Sequence, residues 1–338
     1  MRDHSLDNDA GIFLFEALGG VSTGTITRQT FKNLSNSVRR AFSTLSITEI
    51  GPLYSEHLTR EISSYIDSHV GERVTAVDFI GCTIYRAVSL AFFGPGYPLD
   101  TQQDIQHTIM NFSALLSPRF FLPSHVKGAR DRTIAALGEF LREWREPAGT
   151  AGACNPAVDL LRNLQKLGFS TQHERSVLFA FVVGLHINTL RVTCWLLAYL
   201  LHDPEAFTTI RSEIDHFVDD KYHGSIEALS VAPMQVLGPQ NLPFLHSAQR
   251  EVLRICFLPF VIRQAPEDMD YVLDETHVIH MKKGEYLAAD GHVLNLDSTA
   301  FPDPSKFKFD RFTAFGDIND KAAPPCVSAF GSGAHVVR

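Results

Sequence analysis

The sequence has 338 residues, of which 45% are hydrophobic and 20% are charged, so it can build a large buried core and should fold rather than stay disordered. Its formal net charge of -8, without any concentrated basic stripe, argues against a nucleic-acid partner. No Gly/Ser linker or internal repeat divides the chain, and we therefore expect one domain over residues 1–338.

The cysteines and the amino terminus favour a reducing compartment. The cysteines are odd in number and far apart, which predicts neither a disulfide framework nor a zinc site; they are Cys82, Cys154, Cys194, Cys256 and Cys326. The chain starts Met1-Arg2-Asp3-His4 rather than with a hydrophobic run, so we expect no signal peptide and no membrane anchor there. The longest apolar run, Val177 to Leu185, is too short to span a bilayer.

Apolar residues recur at helical spacing through the first two thirds of the chain. The clearest case is Asp78 to Phe93, which Gly94-Pro95-Gly96 should stop. The same periodicity predicts helices around Thr30 to Phe42, Gly51 to His69, Gln103 to Leu116, Ala129 to Trp144 and Val158 to Leu167.

A long central helix should begin between Thr171 and Glu174 and end near His202, a length of roughly 45 Å. Asp203 followed by Pro204 is typical of an N-cap and a first helical position, which predicts a second helix immediately after a sharp corner. Inside the long helix, His186 is more typical of a hydrogen-bonded core residue than of a metal ligand, because no second ligand lies at metal spacing.

From Tyr271 onward the pattern changes to short pieces with β character, which predict a small sheet. These pieces are Tyr271 to Leu273, His277 to His280 and Glu285 to Ala288. A proline-rich, loop-forming region follows, with Phe301-Pro302-Asp303-Pro304 and Pro324-Pro325.

Four short motifs then follow one another in a meaningful order. Glu251 and Arg254 are three residues apart, so on a helix they share a face, a pattern that alone indicates no more than a surface ion pair. They are followed by Ile262-Arg263, by Phe309-Asp310-Arg311-Phe312, and by Phe330-Gly331-Ser332-Gly333-Ala334-His335. With these four motifs in this order, the chain resembles the cytochrome P-450 family. Glu251 and Arg254 match the ExxR pair of that family, and Arg311 matches the arginine of its PERF-like segment. Residues 330–335 match the opening of its FGxGxHxC haem loop.

The resemblance implies a mainly α fold with a small β-sheet and a haem b cofactor. It implies that Glu251, Arg254 and Arg311 form a buried structural network, in which each buried charge requires its partner. It also implies that Arg263 meets a haem propionate and that the loop holding Phe330 and His335 supports the haem. Gly331 and Gly333 permit the backbone to pass close under the porphyrin.

The family has its iron-ligating cysteine two residues after the loop histidine. Here that position is Val337, and the sequence ends at Arg338. Valine cannot replace a thiolate that donates electron density to iron, Cys326 lies before the loop, and His335 matches a peripheral role. We therefore expect no metal ligand from this chain and read it as an incomplete, truncated member, shortened at both ends.

The distal side of the haem would be lined by Asn188 and Thr189, the two candidate catalytic residues. Most members carry an alcohol at the position of Asn188 and an acid at that of Ile187. The run through Trp195 looks more like the branch that contains prostacyclin synthase and the sterol 7- and 12-hydroxylases. The polar stretch from Gly184 to Thr189 is also compatible with a simple local kink.

Three functions stay open at this point. The resemblance implies a haem-dependent monooxygenase acting on a hydrophobic small molecule such as a sterol, terpenoid or polyketide, in secondary metabolism, with NADPH-cytochrome P-450 reductase as partner. An inactive member without the ligating cysteine is the second function, and a reductase-independent isomerase or dehydratase the third. Full-length relatives lie on the cytoplasmic side of the endoplasmic reticulum membrane, although we expect no anchor in this chain.

Overall fold

The computed structural model describes residues 9–22, 24–41, 44–115, 122–145, 153–230, 232, 234–256 and 260–313. Within these ranges the chain is helical up to residue 256 and then forms short strands and one further helix. The α-helices are α1 Asp9–Gly19, α2 Arg28–Ala41, α3 Thr44–Ser68, α4 Ala76–Phe93, α5 Gln102–Met110, α6 Phe112–Leu115, α7 Ser124–Trp144, α8 Asn155–Lys166, α9 Thr171–His202, α10 Pro204–Tyr222, α11 Ile226–Ser230, α12 Pro243–Cys256 and α13 Gly291–Asn295.

The residues that were predicted to begin and end helices cap them in the structure. In α4, the Thr75 hydroxyl accepts from the backbone N–H of Asp78, and the helix ends at Gly94 with φ of 81°, a conformation that glycine adopts without steric cost. At the end of α9, the Asp203 carboxylate accepts from the backbone N–H groups of Glu205 and Ala206. The corner between α9 and α10 is therefore capped as expected.

Helix α9 is the centre of the molecule. Its 32 residues span about 48 Å at a rise of about 1.5 Å per residue, and α1, α4, α7 and α12 all pack against it. Residues 177–183 are buried on every side, because neighbouring helices surround that half. Beyond it, Gly184, Asn188, Arg191 and Trp195 are exposed along one face, which leaves this stripe without protein cover.

Among the described residues, the β structure consists of two antiparallel pairs rather than one sheet. Strand β1, Phe260–Gln264, pairs with β4, Tyr286–Asp290. Strand β2, Met269–Val272, pairs with β3, Val278–Met281. The expected mainly α fold with a small β component is confirmed, but β1 was not predicted, and the last of the three predicted strands pairs with β1 rather than with its sequence neighbours.

In the part of the chain that the structure describes, two helices, α4 and α9, are long and apolar enough to cross a membrane by length and composition. In each, 56% of the apolar window is buried inside the molecule, as in the core helices of soluble proteins. This finding is therefore weak evidence for a membrane span.

Candidate functional site

Glu251 and Arg254 form a bidentate ion pair on α12. Arg254 Nε donates to Glu251 Oε2 and the second guanidinium nitrogen donates to Oε1, both at 2.8 Å. Neither side chain is exposed to solvent. The geometry is the fork-to-fork arrangement in which an arginine and a carboxylate pair most strongly.

Arg311 is the third member of this network. Its Nε donates to the two oxygens of Glu251 at 2.9 and 3.0 Å, and its terminal nitrogens donate to backbone carbonyls, including that of Pro302 at 2.7 Å. The backbone N–H of Lys308 adds a bond to Glu251 Oε1 at 3.1 Å. A single buried carboxylate therefore serves two guanidinium groups and one peptide group.

The network fixes the loop after the strands onto α12. The Arg254 guanidinium donates to the carbonyl of Asn295 at 2.6 Å and lies 5.0 Å from the ring centroid of Phe301. The backbone N–H of Phe312 donates to the Ser247 hydroxyl at 2.8 Å. These contacts hold residues 301–313 and α13 against α12, which is one of the helices that pack against α9.

A cavity of about 570 Å³ lies along the exposed stripe of α9. Helix α9 forms one wall, and α4, α5 and the end of α12 form the others. Most of the lining is apolar or small, with Gln106, Asn188 and Arg191 as its polar residues; the remainder is Val77, Gly81, Ile109, Met110, Leu190, Val192, Cys194, Trp195 and Cys256. A volume of this size and character suits a small-molecule or cofactor site, for which about 300–1,000 Å³ is usual.

The two candidate catalytic residues differ in position. Asn188 lines the cavity, where its amide can both donate and accept hydrogen bonds. The Thr189 hydroxyl donates to the Leu185 carbonyl of the preceding turn at 3.3 Å, and this residue does not line the cavity. The structure therefore brings Asn188, rather than Thr189, to the wall.

His186 lies on the opposite side of α9, in the core. Its Nε2 is 3.3 Å from the Ser89 hydroxyl, and its ring contacts Tyr85, with centroids 4.5 Å apart. Burial lowers the pKa of His186 to about 3, so the ring is neutral at ordinary pH. The predicted core position of this histidine agrees with its surroundings.

The remaining predicted haem contacts have little or no structural description. Arg263 occupies β1 opposite Leu287, but its side chain lies outside the described residues. Phe330, Gly331, Gly333, His335, Val337 and Cys326 also lie outside them, since the description ends at residue 313. Their roles stay predictions.

Comparison with known proteins identifies the fold family. The family model described as cytochrome P450 matches residues 29–336, which is most of the chain. The chain belongs to the cytochrome P450 family. The recognition made from the ExxR, arginine and glycine-loop motifs is thereby confirmed.

Curated P450 relatives include sterol hydroxylases and prostacyclin synthase. Rat 25-hydroxycholesterol 7-alpha-hydroxylase is 35% identical over 43% of this chain and 35% of its own length. Bovine prostacyclin synthase is 25% identical over 68% of this chain and 48% of its own length. Rabbit 7-alpha-hydroxycholest-4-en-3-one 12-alpha-hydroxylase is 24% identical over 68% of this chain and 46% of its own length. The chain thus spans about a third to a half of the length of these relatives.

Solved structures show the same fold. A cytochrome P450, CYP102L1, matches with a TM-score of 0.71 at 13% identity and covers 98% of this chain and 76% of its own. The retinoic acid bound cyanobacterial CYP120A1 matches with a TM-score of 0.67 at 17% identity, covering 98% and 73%. At these identities the likeness establishes the fold alone.

The described residues fit the haem that the family implies. The cavity wall along α9 is mostly apolar, with Leu190, Val192 and Trp195 among its residues. Apolar side chains of this kind suit contact with the flat face of a porphyrin. Helix α12, which carries the buried Glu251 and Arg254, packs against α9, and both helices contribute residues to the cavity.

Two polar residues of the cavity were missed by sequence reasoning. Arg191 and Gln106 both line it, although neither belongs to a family motif. A signal for Arg191 was present, because it lies three residues after Asn188 and four before Trp195, on the same helical face. No local signal marks Gln106, which reaches the cavity only because α5 packs near α4 and α9.

Proposed function

We propose that this chain binds haem b in the cavity beside Asn188 and acts as a monooxygenase on a hydrophobic small molecule such as a sterol, terpenoid or polyketide. Haem in this family supplies the activation of molecular oxygen. The observation that carries the proposal is the coincidence of a P450 family match over residues 29–336 with a mostly apolar cavity along the central helix. The sterol hydroxylases among the relatives support a sterol-like substrate.

Different residues of this chain would line the cavity, stabilise the fold and hold the haem. Asn188 is placed to hold a polar group or a water molecule at the cavity wall through its amide, and Thr189 supports the same turn of α9. Glu251, Arg254 and Arg311 position α12 and take no part in the chemistry. Arg263 and His335 are proposed to bind the haem propionates, and Phe330, Gly331 and Gly333 to form the loop beneath the porphyrin.

Electrons would come from NADPH through a flavoprotein reductase. We place the protein at the cytoplasmic side of the endoplasmic reticulum, by analogy with sterol-hydroxylating relatives. A role in secondary metabolism is part of the same proposal.

A specific observation favours a second candidate, a reductase-independent isomerase or dehydratase. An amide side chain, Asn188, lines the cavity where most members carry an alcohol, and prostacyclin synthase is among the relatives. Turnover of a sterol panel and of an endoperoxide, each with and without NADPH and reductase, separates the two. Activity that requires both NADPH and the reductase supports the monooxygenase, whereas activity without them supports the isomerase or dehydratase.

Val337 motivates an inactive alternative, because valine supplies no thiolate to iron. The test is the reduced, CO-treated absorption spectrum of the haem-loaded chain and of its Val337→Cys variant. If the inactive alternative holds, the thiolate-type Soret band appears in the variant and not in the original sequence, and Cys326→Ser in the variant background leaves the band unchanged. A thiolate band from the original sequence would contradict the assignment at Val337, and failure of both proteins to bind haem would contradict the proposed function.

A further inference from the structure

Arg191 is a charged residue in the wall of a mostly apolar cavity. Its terminal guanidinium nitrogen donates to the carbonyl oxygen of Ile109 at 3.1 Å, which links α9 to the last turn of α5. In the described part of the chain, no carboxylate forms an ion pair with it. Since a guanidinium group has five N–H donors, most of its donor capacity is available to a ligand.

A second donor lines the same cavity from α5. The side-chain amide nitrogen of Gln106 is buried and has no hydrogen-bond partner among the described residues. It lies directly against Gly81 of α4, where an added Cβ would collide with it. A buried donor without a partner costs free energy, and a ligand acceptor in the cavity would satisfy it.

We infer that the cavity recognises a lipophilic carboxylic acid, with the carboxylate bound by Arg191 and Gln106 and the hydrocarbon body lying along the apolar wall. This rests on the proposed function, because it names the substrate class of the same site. A planar guanidinium group matches a carboxylate in bidentate geometry. When a ligand excludes water from the cavity, the positive charge of Arg191 loses its solvation and requires a counter-ion.

The carboxylate could belong to a substrate or to a haem propionate, and we commit to the substrate. Arg191 lies in the middle of the exposed stripe of α9, between Asn188 and Trp195, where a bound substrate would contact the same wall. The two sources are separated by comparing probes that differ only in the acid group.

The experiment measures binding of dodecanoic acid and of its methyl ester to the full chain by equilibrium dialysis, with and without haem. We expect the acid to bind roughly tenfold or more tightly than the ester, as hydrogen bonds to charged groups predict. Arg191→Gln should abolish this preference while leaving ester binding unchanged, Arg191→Lys should keep part of it, and Gln106→Leu should reduce it. Thermal unfolding of each variant checks that the fold is retained.

Equal binding of acid and ester by the wild-type chain would overturn the inference, and so would a preference that survives in Arg191→Gln. If Arg191 instead binds a haem propionate, Arg191→Gln would weaken binding of haem but not of haem dimethyl ester. In that case neither the wild-type chain nor any variant would prefer dodecanoic acid to its methyl ester. Acid-selective binding in the absence of haem supports the inference even if haem incorporation fails. A failure of the proposed haem-dependent function is therefore distinguishable from a failure of the inferred carboxylate binding.

Discussion

At the scale of single residues, we expect Glu251 to contribute more to the free energy of unfolding than any charged residue on the surface. Its carboxylate accepts bonds from two guanidinium groups and from the backbone N–H of Lys308, and it is fully buried. Glu251→Gln removes the counter-ion of Arg254 and Arg311. We expect the free energy of unfolding to fall by about 3–5 kcal/mol, as for other buried pairs broken on one side, measured by urea denaturation.

A matched control is Glu139→Gln. Glu139 pairs with Arg142 at 2.7 Å on the surface, with side chains 69% and 66% exposed, so its loss should change stability by no more than about 0.5 kcal/mol. Equal effects of the two substitutions would show that the buried network does not stabilise α12.

His186 gives the fold a dependence on pH. Its pKa falls from 6.5 to about 3 on burial, so between these values the unfolded chain binds a proton that the folded chain does not. Stability is therefore lost as pH falls below about 6.5, by up to about 1.4 kcal/mol per pH unit from this group. His186→Gln should remove that slope in denaturation curves from pH 7 to 5, whereas the exposed-site control His216→Gln should keep it.

At the scale of elements, the corner between α9 and α10 depends on one cap. Asp203 Oδ1 accepts from Glu205 and Ala206 N–H groups at 3.1 and 3.0 Å. Asp203→Ala should lower the free energy of unfolding by about 1 kcal/mol, with Asp219→Ala, on the exposed surface of α10, as the control. An unchanged melting temperature for Asp203→Ala would show that packing alone holds the corner.

Local patterns predicted the helices well and the strand pairing poorly. Helical periodicity and caps are properties of neighbouring residues, which is why Asp78 to Phe93 and the long helix to His202 match α4 and α9 within a few residues. Pairing of β1 with β4 joins residues 22 to 30 positions apart in sequence, from Gln264 with Tyr286 to Phe260 with Asp290. No turn signal connects such strands, so β1 was missed.

At the scale of the whole molecule, the cavity is assembled from parts of the chain that are distant in sequence. Val77, Ile109, Asn188 and Cys256 come from four helices, and only packing brings them together. The family motifs predicted the Glu251 network, and the position of Asn188 in the long helix, counted back from Trp195, marked it as a candidate although its side chain departs from the usual alcohol. Arg191 and Gln106 became visible only in three dimensions, because nothing in a one-dimensional pattern shows which residues line a common space.

The central claim is that the cavity beside Asn188 is the haem site, and a haem titration of cavity-blocking variants tests it most directly. Asn188→Trp places a large ring at the wall, and Ala198→Trp places the same ring on an exposed position of α9 that does not line the cavity. The titration is followed by Soret absorbance. The wild-type chain and Ala198→Trp should bind one haem with equal affinity, and Asn188→Trp should bind haem at least tenfold more weakly. Undiminished haem binding by Asn188→Trp would contradict the account.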